Sequence, residues 1–162
     1  MILENENTIR KFENTDYFGY LFHVSYDGLM FDSFDENPDM ISVKSKFREL
    51  LESNNIKFYK GIQQAGRTDK DVSASNNILY INSKQDIKLS GLKNFKTDGL
   101  TITKIEKTMP FLELPSLIKS RHYVYKYPTD KIANTKDEIN KICESLSGEK
   151  NFKKFTTKKG EQ

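Results

Sequence analysis

Cysteine occurs once in this sequence, tryptophan not at all, and no stretch of apolar residues comes near the roughly 20 needed to cross a bilayer. Cys143 alone can form no internal disulfide, which points to a reducing, intracellular setting, cytoplasmic or within an organelle. No basic segment followed by an apolar run opens the chain, so no export signal is read there and no association with membrane is expected. Charge of one sign is scarce as well. The 26 Lys and Arg against 23 Asp and Glu leave a formal net charge of +3, too small to mark a nucleic-acid binder by itself. Apolar residues make up only 36%, yet eleven Phe and eight Tyr supply volume for a core. A chain of 162 residues holds one compact domain, or one and the beginning of another.

What is present divides into segments. Residues 1–18 are a polar arm rich in Asn, Glu and Lys. From Gly19 onward Tyr20, Phe22, Val24 and Tyr26 alternate with Leu21, His23 and Ser25, the two-residue period of a strand, and Asp27-Gly28 supplies the turn that ends it. Val43, Phe47, Leu50 and Leu51 form an apolar helical stripe behind Ser42, which is placed to cap the first turn. Residues 56–62, 78–81 and 100–105 have the length and β-branched content of strands, and 86–95 read as a short helix weakened by Gly91. This order predicts an α+β fold over 19–109, an antiparallel sheet with helices on one face in a ferredoxin-like unit.

Pro110 and Pro115 mark residues 110–120 as a linker. A second, similar unit is expected over 121–157. It opens with a strand at 121–127 whose Tyr123, Tyr125 and Tyr127 share a face. Thr135 and Glu138 then form a capping box ahead of Ile139, Ile142, Cys143 and Leu146, and Gly148 stops the helix. Residues 158–162 form a basic tail. Lys150, Lys153, Lys154, Lys158 and Lys159 crowd this end, as a segment tracking a phosphate backbone or a solvated tail would.

Chemistry-bearing residues concentrate in residues 64–74, QAGRTDKDVSA, between two expected strands. Glycine permits close ligand approach, arginine contacts phosphate or base, and aspartate serves as base or nucleophile. By spacing alone the segment reads more often as a turn with an exposed ion pair. His23 and His122 have no Cys or carboxylate at ligand spacing, so no metal site is expected, and Cys143 reads as core packing on an apolar helix face.

GRTDKDVSA at 66–74 resembles the signature loop of the TruA family of tRNA pseudouridine synthases, close to G-R-T-D-x-G-V-x-A. Matches to other family segments follow in order. Tyr26-Asp27-Gly28 resembles the early Y-D-G strand end, residues 42–51 the first helix, Arg121-His122-Tyr123-Val124-Tyr125 the R-x-Y-x-Y strand, and residues 147–155 the G-x-x-D-F-x-x-F segment. The D-K-x-V-S-A wording leans towards the archaeal and eukaryotic branch. The resemblance implies an isomerase that needs no cofactor and converts uridine to pseudouridine in tRNA or another structured RNA. It implies Asp69 as catalytic carboxylate and Tyr123 as the ring that packs on the target uracil and takes part in proton removal at C5. It implies Arg67 as the residue holding the target nucleotide out of its stack, and Lys70, Arg121, Lys153 and Lys154 are further expected RNA contacts, the last two from the crowding of charge at that end.

Two departures accompany the resemblance. Asp71 stands where the family pattern has glycine, and the second half of the family fold, with the basic residue that pairs with the catalytic aspartate, has no counterpart before residue 162. A homodimer or a second chain completing the cleft, a fragment, and a catalytically inactive RNA-binding remnant within a larger complex all remain open at this point.

Overall fold

The computed structural model describes residues 15–87 and 96–155. The chain divides into two compact units, Met1–Arg121 and His122–Gln162. The first is an α+β unit whose elements run β1 (Phe18–Tyr26), α1 (Val43–Ser53), β2 (Tyr59–Gln64), β3 (Ala74–Ser83), β4 (Lys96–Thr97) and β5 (Leu100–Thr108). They form one five-stranded sheet in the order β2-β3-β1-β5-β4, with every pairing antiparallel. Because β1 and β2 both run antiparallel to the β3 between them, α1 crosses from one to the other in a split βαβ arrangement. Residues 88–95, most of the expected short helix, lie outside the described residues.

The alternation in β1 sets the two faces of the sheet. Tyr20, Phe22, Val24 and Tyr26 are buried together with Leu79, Ile81, Ile62, Leu100 and Ile102, and α1 covers them with Val43, Phe47, Leu50 and Leu51. The Phe22 and Phe47 rings meet edge to face with centroids 5.1 Å apart. Ser42 begins α1 by accepting from the Ser45 amide, while the Ser45 hydroxyl accepts from the Ser42 amide. Asn55 ends it in the left-handed region at φ 55°, with Asn55 N–H donating to Glu52 and Ile56 N–H to Leu51. That closure uses the Ile56 amide, and for this reason the strand expected from residue 56 begins only at Tyr59.

On the opposite face Tyr80 packs with Leu112 and Leu114, flanked by Leu21, Ile78, Met109, Leu117 and Ile118. Residues 110–118, read as part of a linker, are thus laid against the sheet. The Tyr80 hydroxyl accepts from the Leu112 amide and lies 2.9 Å from the Met109 carbonyl and 2.8 Å from Asn82 Oδ1, either of which can take its proton. Burial is the main reason its pKa is pushed up to about 12, against the hydrogen bonds from Leu112 and Phe111.

The second unit contains the helix α2 (Lys136–Leu146), started by the reciprocal Thr135 and Glu138 box and followed by Gly148 at φ 86°. The strand expected at 121–127 does not form: none of the described residues pairs with it, and Tyr123, Val124, Tyr125 and Tyr127 are exposed. An alternating sequence makes a strand only where a ladder partner takes its N–H and C=O groups. Cys143 is likewise exposed, not core, because no described residue of this unit is buried. Among the described residues no helix is long and apolar enough to cross a membrane.

Candidate active site

The loop between β2 and β3 lies at the end of the sheet where β1 gives way to Asp27 and Gly28. Here β1 is irregular towards both neighbours, with register shifts between Val24 and Tyr26 against β3 and between His23 and Val24 against β5. Bulges at such positions bend a strand end and redirect its side chains.

Three adjacent residues of β1 and its turn hold the loop. The Tyr26 hydroxyl sits 3.0 Å from Thr68 Oγ1 and accepts from Asn77 Nδ2 at 3.2 Å, and the same amide donates to the Gly66 carbonyl at 2.8 Å. Asp27 Oδ1 lies 3.4 Å from Ser73 Oγ, which accepts from the Gly28 amide at 2.9 Å. Gly28 itself has no room for a side chain. A Cβ there would stand 2.4 Å from the carbonyl carbon of Val72 and 2.6 Å from that of Asp71. The Tyr-Asp-Gly sequence therefore seats the loop through one hydroxyl, one carboxylate and one missing Cβ.

Within the loop the Val72 amide donates to the Asp69 carbonyl at 3.3 Å, closing a turn over Asp69, Lys70 and Asp71. Asp71 adopts φ 64°, the left-handed conformation that glycine takes most readily and Asp more readily than most other residues. Asp69, Lys70 and Arg67 are exposed. Among the described residues no side chain bonds the Asp69 carboxylate. Arg67 Nη1 donates to Asp35 Oδ2 at 3.2 Å, and Asp35 Oδ1 takes Lys44 Nζ at 2.7 Å. Burial draws the Asp35 carboxyl up, but the hydrogen bonds from Lys44 and Arg67 outweigh it and hold the group below its ordinary value.

Arg121 belongs to the first unit, where its guanidinium donates from Nε, at 2.8 Å, and from Nη2 to the Ala65 carbonyl at the start of the loop. The structure thus gathers Arg67, Asp69, Lys70 and Arg121 around one loop. Tyr123, Lys153 and Lys154 belong to the second unit. There Tyr123 is 58% exposed and the two lysines sit in the turn Lys153–Phe155. Lys158 and Lys159 lie outside the described residues. Asn77, Asp35 and Lys44 were not singled out from the sequence. For Asn77 a signal existed: it shares the inward parity of Leu79 and Ile81, and a polar residue on that face needs buried partners. Asp35 and Lys44 carried none, since their pairing depends on how residues 27–42 fold back.

Among the described residues no group of three His, Cys, Asp or Glu is placed to hold a metal ion. The His23 ring instead meets Asn76 Oδ1 at 3.1 Å and Glu106 at 3.5 Å.

The fold and the loop define an α+β protein with an Asp-bearing turn held at one end of an antiparallel sheet. No family model matches the chain. Curated relatives do. A tRNA pseudouridine synthase A from Picrophilus torridus is 40% identical over 65 residues, covering 40% of this chain and 25% of its own length. One from Pyrococcus abyssi is 24% identical over 140 residues, 83% of this chain and 51% of its own. One from Borrelia duttonii is 31% identical over 109 residues, 65% of this chain and 44% of its own. The chain is thus similar over part of its length to proteins named tRNA pseudouridine synthase A, and it spans a quarter to about half the length of these curated relatives.

Proposed function

We propose that this chain carries the nucleophilic half of an RNA pseudouridine synthase acting on uridine in tRNA or another structured RNA, with Asp69 as the nucleophile. The observation that carries the reading is the seating of the Asp69 turn by Tyr26, Asp27 and Gly28, which fixes the backbone while leaving the carboxylate open to a ligand. An open carboxylate on a backbone seated in this way suits attack on a nucleoside or stabilisation of its cleavage. The reaction breaks N1–C1′, turns the uracil and forms C5–C1′. The C5 proton is lost and N1 gains one, so atoms balance without an oxidant or cofactor.

The target base must first leave its stack, at a cost of a few kcal/mol. Arg67, released from Asp35, is suited to fill the vacated space, and Lys70 beside it to meet phosphate. Tyr123 is assigned to the uracil ring and the C5 proton on the family pattern, and Lys153 and Lys154 to phosphate. On the family pattern a cation still has to face Asp69 and orient its carboxylate. Further residues of a longer protein, a second copy of the chain or a partner chain are its proposed sources.

The test is pseudouridine formation on unmodified tRNA by the protein with whatever co-purifies with it. Asp69→Asn should abolish product, a fall of at least a thousandfold, while binding of the RNA stays within about threefold. Product at the parent rate from the variant would remove Asp69 from the mechanism. A second reading, a silent RNA-binding remnant, draws on Asp71, whose negative charge stands two residues from Asp69. RNA binding with no product from parent or variant would favour it.

A further inference from the structure

We propose that Arg121 is a positioning residue that clamps the start of the Asp69 loop. The proposal rests on the reading of that loop as the reactive one, but the clamp itself is tested without RNA.

Three observations converge on the peptide links at Ala65 and Gly66. The Arg121 guanidinium directs two N–H groups, from Nε at 2.8 Å and from Nη2, at the single carbonyl oxygen of Ala65. Charge-assisted hydrogen bonds of this type are about twice as strong as neutral ones, and the planar fork makes them directional. Ala65 is also where the β2–β3 ladder stops, its amide donating to the Ile78 carbonyl at 2.8 Å. The next carbonyl, that of Gly66, is held by Asn77 Nδ2 at 2.8 Å. Two successive carbonyls are thus fixed by two different side chains immediately before Arg67 and Asp69.

Gly66 explains how Arg121 reaches this position. A Cβ on Gly66 would stand 2.9 Å from Arg121 Nε and 3.2 Å from its Cδ, so the guanidinium packs directly over the glycine and a side chain there would displace it. The Gly66 φ is not in the left-handed region, so what a side chain at this position would meet is the arginine and not a strained backbone. The Gly-Arg-Thr-Asp segment and the Arg121 segment, 55 residues apart, are in this way a single device. The clamp uses the Nε and Nη2 edge of the guanidinium, two of its five N–H groups.

The experiment compares amide hydrogen exchange in the full chain for the parent, Arg121→Gln, Arg121→Lys and Gly66→Ala. Exchange at Ala65 and Val72 should rise about tenfold in Arg121→Gln and in Gly66→Ala, with the Leu79 and Tyr80 amides of β3 unchanged as a check on the fold. Arg121→Lys, which keeps the charge and loses the fork, should resemble the Gln variant. The Arg121 Nε–H resonance, protected in the parent, should be lost in Gly66→Ala although Arg121 is still present. With unmodified tRNA as probe, a slope of log affinity against log salt lower by roughly 0.7 to 0.9 in Arg121→Gln, with loop exchange unchanged, would make Arg121 a phosphate contact and overturn the proposal. Unchanged loop exchange in all three variants would overturn it whatever the RNA result. Should the parent fail to bind tRNA, the functional reading falls while the exchange data still decide the clamp.

Discussion

Asp71 occupies a backbone conformation that costs a residue with a Cβ about 1 kcal/mol, less for Asp, whose short polar side chain bonds locally. The position therefore ranks its occupants by backbone before charge. Asp71→Gly should leave stability unchanged or raise it by about 0.5 kcal/mol, the relief of strain being offset by the larger entropy of glycine in the unfolded chain, and Asp71→Ala should lower it by about 1 kcal/mol. Urea unfolding of the two variants checks this, and an Ala variant as stable as the parent would contradict it. Asp35 answers to pH instead. Its folded-state pKa is lowered, so the stability it adds is present above the ordinary aspartate value and is lost as pH falls through the folded one. With more than a third of its side chain exposed, the pairing with Lys44 and Arg67 is screened. Asp35→Asn should cost about 0.5 kcal/mol at pH 7, and the stability curves of variant and parent should converge in acid, as denaturant titrations across that range would record. Curves that stay parallel down to the acid limit would show the pair to be inert.

At the scale of elements, the layer formed by residues 109–118 depends on the Tyr80 hydroxyl as well as on its own apolar residues. Tyr80→Phe leaves the ring in place, but it strips the Leu112 amide of its acceptor and the Met109 carbonyl of a donor. An unsatisfied buried amide costs about 1–3 kcal/mol, so a loss in that range is expected, with amide exchange rising first at Leu112 and Leu114. A uniform rise across the sheet would instead show that the segment and the sheet open together. This layer was not legible beforehand. Its two prolines suggested a spacer, and the Tyr80 phenol that anchors it sits in a run, Ile78 to Ile81, whose apolar character gave no hint of which face it would serve. The helix-facing side was legible because burial repeats at a period that the backbone imposes: Tyr20, Phe22, Val24 and Tyr26 for β1, Val43, Phe47, Leu50 and Leu51 for α1. The loop could be singled out by composition, whereas Asn77, Asp35 and the Arg121 clamp join residues 11 to 56 positions apart and depend on the fold. The strand expected at 121–127 failed for a related reason. Alternating tyrosines state a preference, and only a neighbouring backbone can satisfy it.

For the molecule as a whole, the distribution of buried side chains separates what folds alone from what does not. Among the described residues every buried apolar side chain lies between Tyr20 and Leu114, and both core clusters are complete within the unit that ends at Arg121. In the second unit Tyr123, Val124, Tyr125, Tyr127, Ile142, Leu146, Phe152 and Phe155 are exposed, and α2 has eleven residues, a length at which an isolated helix is marginal in water even with a good capping box. A chain cut after Arg121 should then unfold in one cooperative transition, with a midpoint within about 2 °C of the parent. For a domain of this size a loss of 1 kcal/mol shifts the midpoint by roughly 4 °C, so the expected change corresponds to less than half of that. Residues 122–162 alone should show little helical circular dichroism, and Thr135→Ala should remove part of what remains, since the cap is its main local support. Calorimetry of the truncated chain beside the parent decides the matter. A midpoint lower by 5 °C or more would mean that the second unit stabilises the sheet, and that its exposed tyrosines and helix face contribute to the fold of the first.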